Sequence, residues 1–359
     1  MRGGSPPHPA LTRAFPAAAA GDNERMDEPA PSVVVVGASA GGVEALTTLA
    51  RGLPEGLDAA VCVVLHLHPG TESRLADIIS RAGPLPAVQA RGGERLVGGR
   101  IYVAPPDRHL IVRGGHAVVV RGPHENGLRP SIDVLFRSAA LAYGRRTVAA
   151  VLSGTRDDGV AGASAIGARG GCVFVQDPED SLFSALPAHT VVHDHPDRVL
   201  PLAELAPAIG YAVHRLSEEA DVRENGSGRM SRESAYASLD KNALEQEAPG
   251  ETSPYSCPEC GGVLREIEDG DLLRFRCRVG HAFTADGVLE GQDESVETAL
   301  WTALRALQER AALSERLAER VGNAGAERSR RRFEAIAEET RAQAETIRRV
   351  LAGPDGADG

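Results

Sequence analysis

The apolar run Val33–Val36 leads directly into the small-residue turn GASAGG, and a helical pattern follows. Four consecutive valines without polar alternation are typical of a central strand that is covered on both faces of a parallel sheet. The order then repeats, with apolar AAVCVVLHL after helical GVEALTTLARGL and helical SRLADIISRAG after that. Alternating strands and helices predict an α/β fold with a doubly wound, mainly parallel sheet.

The middle of the chain interrupts this alternation once. Gly114 and Gly115 separate two alternating apolar runs within RIYVAPPDRHLIVRGGHAVVVRG, which predicts an inserted β-hairpin at one edge of the sheet. The strand-like TVAAVLSG and CVFVQD, with the helical GVAGASAIGARGG between them, then restore the α/β pattern. We therefore expect residues 31–213 to form one α/β domain.

Two segments lack this periodicity. Residues 1–30 are rich in Pro, Ala and Gly, and we predict a disordered tail. Arg13 and Pro16 interrupt the apolar core that a signal peptide needs, and Met26 is an alternative start. Residues 214–253 are polar and poor in large apolar side chains, which predicts a mostly disordered linker.

Composition narrows the range of partners and compartments. The 359-residue chain has 39 Lys and Arg against 50 Asp and Glu, a net charge of −11, which argues against a nucleic-acid partner. Its longest apolar runs are far shorter than the roughly 20 residues that cross a bilayer, so we expect no membrane insertion. The five cysteines are odd in number and partly clustered, which favours a reducing cytoplasm over a disulfide framework.

The late cysteines have the spacing of a metal site. Four potential ligands occur as CxxC followed by CxxxH: Cys257, Cys260, Cys277 and His281. Three thiolates and one imidazole fill a tetrahedral zinc shell, so we predict a structural zinc ribbon over residues 254–290. A redox CxxC pair or unrelated buried thiols remain the alternatives. The other two cysteines lie in apolar strands, where we expect core residues: Cys62 and Cys172.

The last segment of the chain has helical periodicity and predicts a helical hairpin over residues 291–353. The first helix carries an apolar stripe of Val296, Leu300, Leu304, Leu307, Ala311, Leu317 and Val321. The second helix carries Phe333, Ile336, Ile347 and Leu351, and residues 322–325 supply the turn. Intramolecular packing and partner binding are both consistent with this pattern.

The serine at the centre of the first turn is a candidate nucleophile. A dinucleotide site needs a second glycine where Ser39 stands, and a phosphate-binding P-loop needs Lys-Ser or Lys-Thr after the glycines. The residues Gly37–Gly41 instead match GxSxG between a strand and a helix, a turn that exposes a serine hydroxyl. The alternative is that small residues only allow a strand to pack closely against a helix start.

A serine nucleophile needs a base and a group that orients the base. His66 ends the second strand, and Asp158 follows the strand TVAAVLSG. The carboxyl ends of parallel strands meet at one sheet edge, so we expect Ser39, His66 and Asp158 to converge there. The alternatives are a structural role for the histidine and a helix N-cap role for Asp158.

The segments GASAGG, VLHLHPG, YVAPPDRHL, RPSIDVLF, LSGTRDDGVAG and QDPEDSLFSALP, in this order, resemble the catalytic domain of chemotaxis protein-glutamate methylesterases of the CheB type. The resemblance covers about half the chain. It implies hydrolysis of glutamate γ-methyl esters on methylated chemoreceptors, and often deamidation of receptor glutamines. By motif it places the nucleophile on Ser39, the base on His66 and the orienting aspartate on Asp158, with no cofactor for catalysis.

The resemblance carries further expectations and one departure. It places a characteristic family histidine on His109. This chain has Thr155 at a position where the family commonly has methionine. Backbone amides near Thr155 and at the helix start after Ser39 are the expected oxyanion donors. Such enzymes usually carry a receiver domain in front, for which residues 1–30 are too short, so a separate receiver or kinase protein is a possible partner.

Two other functions remain open at this point. A metallohydrolase would use four histidines as ligands, namely His66, His68, His193 and His195, although the last two lie in polar sequence that is typical of a loop. A catalytically idle adaptor would use the esterase fold, the ribbon and the helices only to bind other proteins.

Overall fold

The computed structural model describes residues 30–67, 73–194, 196–218, 228–238, 249–269, 272–323 and 326–352. The predicted tail, Met26, His68 and His195 lie outside these residues, except that Ala30 is buried and donates a backbone hydrogen bond to the Leu96 carbonyl. Among the described helices, none has both the length and the apolar character of a membrane span.

The predicted α/β domain contains nine described strands. They are β1 (Ser32–Ala38), β2 (Ala59–Leu65), β3 (Ala87–Gln89), β4 (Ile101–Val103), β5 (His109–Arg113), β6 (His116–Val120), β7 (Thr147–Val151), β8 (Cys172–Gln176) and β9 (Arg198–Leu200). Seven of these form a fully parallel sheet in the order β3-β4-β2-β1-β7-β8-β9. The predicted hairpin is confirmed as the antiparallel pair β5–β6, but it forms a separate two-stranded sheet and not an edge of the parallel one.

Helices cover both faces of the parallel sheet. They are α1 (Gly42–Gly52), α2 (Leu75–Ala82), α3 (Ile132–Tyr143), α4 (Val160–Gly167), α5 (Ala185–Asp194) and α6 (Leu202–Glu218). Val34 and Val36 pack into one core with α1, α2 and α6, whereas Val33 and Val35 pack into a second core with α3, α4 and α5. Successive side chains of a strand point to opposite faces, so the four valines of β1 give both faces of the sheet an apolar surface that helices cover.

The C-terminal region begins with a small antiparallel sheet. Its strands are β10 (Glu251–Ser256), β11 (Val263–Asp269), β12 (Leu272–Cys277) and β13 (Ala282–Thr284), paired in that order. We call this sheet, residues 251–284, the ribbon. The next helix begins at Ala285, so the last residues of the predicted 254–290 segment are helical rather than part of the sheet.

Part of the predicted linker 214–253 is helical among the described residues. Helix α6 continues to Glu218, and helix α7 (Gly228–Ala237) forms within the polar segment. Glu233 and Tyr236 of α7 are buried. The polar composition of the segment did not predict this helix, because Glu233 packs through a buried ion pair and not through an apolar side chain.

Two long helices end the described chain. Helix α8 spans Ala285–Asn323 and the final helix spans Glu327–Ala352. The ion pair of Glu315 with Arg341 and the packing of Gly322 against Arg330 show that they run antiparallel, as predicted. Val296, predicted on the packed stripe, is 58% exposed, because it precedes the stretch of α8 that the final helix covers.

A buried ionic cluster joins the α/β domain to the ribbon. Its five members are Glu125, Arg137 of α3, Glu233 of α7, and Arg274 and Arg276 of β12. Arg274 lies 2.8 Å from Glu233, and Arg276 lies 3.0 Å from Glu125, which also pairs with Arg137. Opposite charges buried together offset the large cost of desolvating each one. This cluster therefore fixes how the ribbon docks.

The cluster holds its carboxylates ionised. Burial alone would raise the pKa of Glu233, but the guanidinium groups of Arg274 and Arg137 lower it from 4.5 to about 2. A lowered folded-state pKa stabilises the fold fully above pH 4.5, and this stabilisation is lost as the pH falls toward 2. Docking of the ribbon is therefore expected to be acid-labile.

We predict that Glu233→Gln lowers the stability of the full chain by about 3–5 kcal/mol at pH 7, because it leaves buried guanidinium groups without their partner. Calorimetric unfolding between pH 7 and pH 3 is the measurement, and the difference from wild type should shrink as the pH falls.

Glu345→Gln is the matched control, since Glu345 forms an exposed pair with Arg348 on the last helix, and it should leave the unfolding midpoint unchanged. Equal, small effects of both substitutions would contradict a stabilising role for the buried cluster.

Candidate active site

Two neighbouring strand ends bring Ser39 and His66 side by side. The parallel register pairs Ala38 of β1 with Leu65 of β2, and each candidate residue comes next in the chain. The His66 amide donates to the Ala38 carbonyl at 3.3 Å, so the pairing continues into the turn. Neighbouring strands are separated by about 4.8 Å, so the two residues lie next to each other at the strand ends.

The turn that carries Ser39 is held by the end of β7. The Ser39 amide donates to the Ser153 carbonyl at 2.9 Å, and the Ser153 hydroxyl donates to the Ala40 carbonyl at 2.8 Å. Gly41 has a φ of +72°, and a Cβ there would lie 2.8 Å from the Ser153 Oγ. The turn therefore requires glycine at this position for both its conformation and its close packing.

Asp158 meets His66 from the loop after β7. The Nε2 of His66 lies 2.9 Å from the Asp158 Oδ2, with Asp158 fully buried and the histidine side chain 9% exposed. β7 pairs with β1 on the side opposite to β2, so the three candidate residues come from three adjacent strands. All three strand ends lie at one edge of the sheet.

Donors surround the buried carboxylate of Asp158. It accepts hydrogen bonds from the Ile132 amide at 2.6 Å, the Ser131 hydroxyl at 2.7 Å and the Asn126 side-chain amide at 3.2 Å, besides that from His66. Burial alone would raise the pKa of Asp158, but the hydrogen bond and charge of His66, with the Ser131 and Ile132 donors, lower it. Asp158 is therefore held as an anion.

This anion determines which nitrogen of His66 carries the proton. An ionised carboxylate only accepts hydrogen bonds, so Nε2 is the protonated nitrogen of the neutral ring. The other nitrogen, Nδ1, is buried and has no hydrogen-bond partner among the described residues. A neutral imidazole in this tautomer offers Nδ1 as a base.

His109 does not touch the reacting groups. It is buried, and its Nε2 donates to the Pro123 carbonyl at 2.8 Å while its Nδ1 accepts from the Ser131 amide at 3.2 Å. Ser131 in turn is the N-cap of α3 and donates to Asp158. The histidine therefore supports the aspartate's surroundings from a distance.

Sequence reasoning missed the residues that hold Asp158. Asn126, Ser131 and Asp133 each contact this aspartate, and only the last two lie in the family-like segment RPSIDVLF. Ser131 precedes a helical pattern, so its capping role was readable. Asn126 gave no local signal, because its partners are far away along the chain.

The other predicted positions have simpler outcomes. Thr155 is exposed in the loop before Asp158. His193 lies in helix α5, not in the loop that its polar neighbours suggested. Among the described residues, the groups of potential metal ligands contain neither His66 nor His193. The four-histidine metal site thus finds no support within the described part of the chain.

The predicted ribbon ligands form one cluster. The ligand atoms of Cys257, Cys260, Cys277 and His281 all lie within 4.8 Å of one another. The Sγ atoms of Cys260 and Cys277 are 3.7 Å apart, and the His281 Nδ1 lies 3.5 Å from the Sγ of Cys277. Cys62 and Cys172 are buried in β2 and β8, as expected for core residues.

The chain is similar to known proteins over its α/β domain. Residues 34–209 match the family model described as CheB methylesterase. Protein-glutamate methylesterase/protein-glutamine glutaminase 4 of Myxococcus xanthus is 40% identical over 177 residues, which cover 49% of this chain and 50% of the relative. The protein-glutamate methylesterase/protein-glutamine glutaminase of a Nocardioides species is 38% identical over 214 residues, 58% of each chain.

The crystal structure of the CheB methylesterase catalytic domain of Thermotoga maritima aligns with a TM-score of 0.48 and 29% identity, covering 50% of this chain and 97% of that domain. The chain spans about half the length of the curated relatives it matches. Residues 34–209, just under half of the chain, therefore form a domain of the CheB methylesterase type.

Proposed function

We propose that the chain hydrolyses glutamate γ-methyl esters on methylated chemoreceptor-type proteins, and deamidates glutamines there, with Ser39, His66 and Asp158 as a catalytic triad. The observation that carries this proposal is the 2.9 Å hydrogen bond between His66 and the buried Asp158, directly beside Ser39 at the strand ends. Names of relatives at 40% and 38% identity point to the same two reactions.

In the proposed reaction the Ser39 hydroxyl attacks the ester carbonyl, and the Nδ1 of His66 takes its proton. Asp158 stabilises the imidazolium through Nε2. The proton then passes from His66 to the leaving oxygen, which departs as methanol, or to the leaving nitrogen, which departs as ammonia when a glutamine is the substrate. A water molecule, activated by the same nitrogen, hydrolyses the acyl-enzyme and releases the glutamate carboxylate.

The developing oxyanion needs backbone donors next to Ser39. Helix α1 begins at Gly42, three residues after this serine, so backbone amides at the positive end of the helix dipole lie close to it in the chain. These groups, with the loop around Thr155, are the proposed oxyanion donors. A backbone donor does not depend on the side chain at position 155, so the threonine there is compatible with catalysis.

We infer that the cluster Cys257, Cys260, Cys277 and His281 holds one structural zinc ion. In a tetrahedral shell with Zn–S bonds of about 2.3 Å and a Zn–N bond of about 2.0 Å, two sulfurs lie about 3.8 Å apart, and a sulfur and a nitrogen about 3.5 Å apart. The separations of 3.7 Å and 3.5 Å fit these values. We also place the chain in a reducing, cytoplasmic compartment, where its five cysteines would stay outside disulfides and three of them could hold the metal.

Ser39→Ala should lower turnover by about three or more orders of magnitude, because it removes the nucleophile of the triad. Methanol release from membranes that carry methylated receptors measures the esterase activity, and a fluorophosphonate probe measures whether the serine is activated.

Ser329→Ala, at an exposed position on the last helix, is the matched control and should keep wild-type turnover and labelling. Wild-type protein that neither labels nor releases methanol would contradict the esterase proposal and favour the adaptor.

Purified chain should contain about one zinc ion, and Cys260→Ser should reduce that content well below wild type, because one thiolate of the shell is lost. Elemental analysis after gel filtration is the measurement. Cys172→Ala serves as the control and should keep the metal, since Cys172 lies in β8, outside the ribbon. A folded wild-type chain without bound metal would contradict the zinc inference.

A further inference from the structure

The side chain of Asn126 connects the ribbon to the aspartate of the proposed triad. Asn126 is 5% exposed, and its Nδ2 donates to the Asp158 Oδ1 and to the Asp133 Oδ2, each at 3.2 Å. Its Oδ1 accepts from the amide of Thr284 in β13 at 2.9 Å. Its own backbone amide donates to the Ala282 carbonyl at 2.7 Å. One residue thus touches both the α/β domain and the ribbon.

The ribbon determines which way the amide of Asn126 points. A backbone N–H only donates, so the atom that faces Thr284 must be the oxygen. The NH₂ group then faces the two carboxylates, where it donates to both. A rotated side chain would set its oxygen against Asp133 and Asp158 and would leave the Thr284 amide without this acceptor.

The two carboxylates need a shared donor because both are buried. Burial and the charge of Asp158 raise the pKa of Asp133, because two buried carboxylates this close repel each other when both are ionised. Asp133 accepts further hydrogen bonds from the Gly159 amide at 3.1 Å and the Gly162 amide at 2.6 Å. With the Oδ1 of Asp158 bound by the NH₂ group, the Oδ2 of Asp158 stays directed at His66.

The C-terminal region also contacts the loop that carries Asp158. The guanidinium of Arg156, two residues before Asp158, lies 3.2 Å from Glu290 of α8. Arg156 is therefore held directly by Glu290, and Asp158 is held through Asn126 by Thr284. Such contacts leave the loop less freedom than the α/β domain alone would give it.

Strand β13 is itself fixed on its other side by the cysteine cluster. The amide of Cys277 donates to the His281 carbonyl at 3.0 Å, and His281 directly precedes β13. His124 stacks on the His281 ring and pairs with Glu259 at 3.1 Å, which joins the segment before Asn126 to the same cluster. The segment that carries Asn126 and the strand that contacts it are therefore both tied to the cluster.

We propose that Asn126 is a positioning residue for the Asp158–His66 pair, and that the backbone amide of Thr284 in the ribbon sets its orientation. The ribbon then contributes to the geometry of the Asp158–His66 pair. The kinetic consequence rests on the proposed esterase function, whereas the structural consequence for His66 does not.

The kinetic test uses Asn126→Leu and Asn126→Asp in the full chain, with p-nitrophenyl acetate as the ester. Both variants remove the NH₂ donor, and Asn126→Asp keeps the shape and an oxygen that faces Thr284. We expect kcat to fall about 100-fold with KM unchanged, because a displaced base costs rate without costing binding. Asn323→Leu, on the exposed end of α8, is the matched control and should behave as wild type.

The spectroscopic test follows the downfield proton of the His66 Nε2–H···Asp158 bond by NMR, which requires no turnover. This resonance should shift upfield or broaden in both Asn126 variants, while circular dichroism confirms that they are folded. Thr284→Pro, which removes the ribbon amide, should have the same effect, and Thr284→Val, which keeps that amide, should leave the resonance in place.

The outcomes separate the two proposals. Wild-type kcat and an unchanged resonance in both folded Asn126 variants would overturn the positioning role. An altered resonance with Asn126 variants but not with Thr284→Pro would overturn the role assigned to the ribbon. A wild-type chain that hydrolyses no ester, but whose His66 resonance responds to Asn126, would refute the esterase function and leave the positioning role standing.

Discussion

The arrangement around Asp158 depends on keeping a carboxylate charged while it is fully buried. An ion removed from water without compensation takes up a proton instead, and a protonated carboxyl group loses its charge-assisted hold on His66. Three segments supply its donors, namely the end of β2, the start of α3 and the segment at Asn126, and the ribbon in turn donates to Asn126. These segments must therefore all be folded in place before Asp158 is held ionised beside His66.

The ribbon and the α/β domain meet through a second set of buried charges. Three arginines and two glutamates replace what would otherwise be an apolar contact, and removing one partner would leave the rest uncompensated. Ion pairs of this kind act only at one relative position, unlike apolar surfaces, which can slide. Such an ionic interface fixes the position of the ribbon, which places the Thr284 amide at hydrogen-bond distance from Asn126.

The cysteine cluster links the stability of the ribbon to the geometry beside Asp158. It closes a short loop from Cys277 to His281, and that loop leads directly into the strand that contacts Asn126. A segment with few apolar residues needs such a closure to hold its shape. A few residues of β13 therefore serve both the fold of the ribbon and the surroundings of the aspartate.

The sequence alone determined what depends on local pattern. The valine run predicted a central strand, GASAGG predicted an exposed serine between strand and helix, and the spacing of Cys257 to His281 predicted the cluster, because each signal is contained in a short stretch. The rule that parallel strand ends share an edge also predicted the convergence of Ser39, His66 and Asp158. Only the tertiary structure decided the roles of Asn126 and Glu233, whose partners lie from 7 to 158 residues away along the chain. A polar residue in a polar segment looks solvent-exposed in sequence, and only folding shows that distant charges and amides surround it.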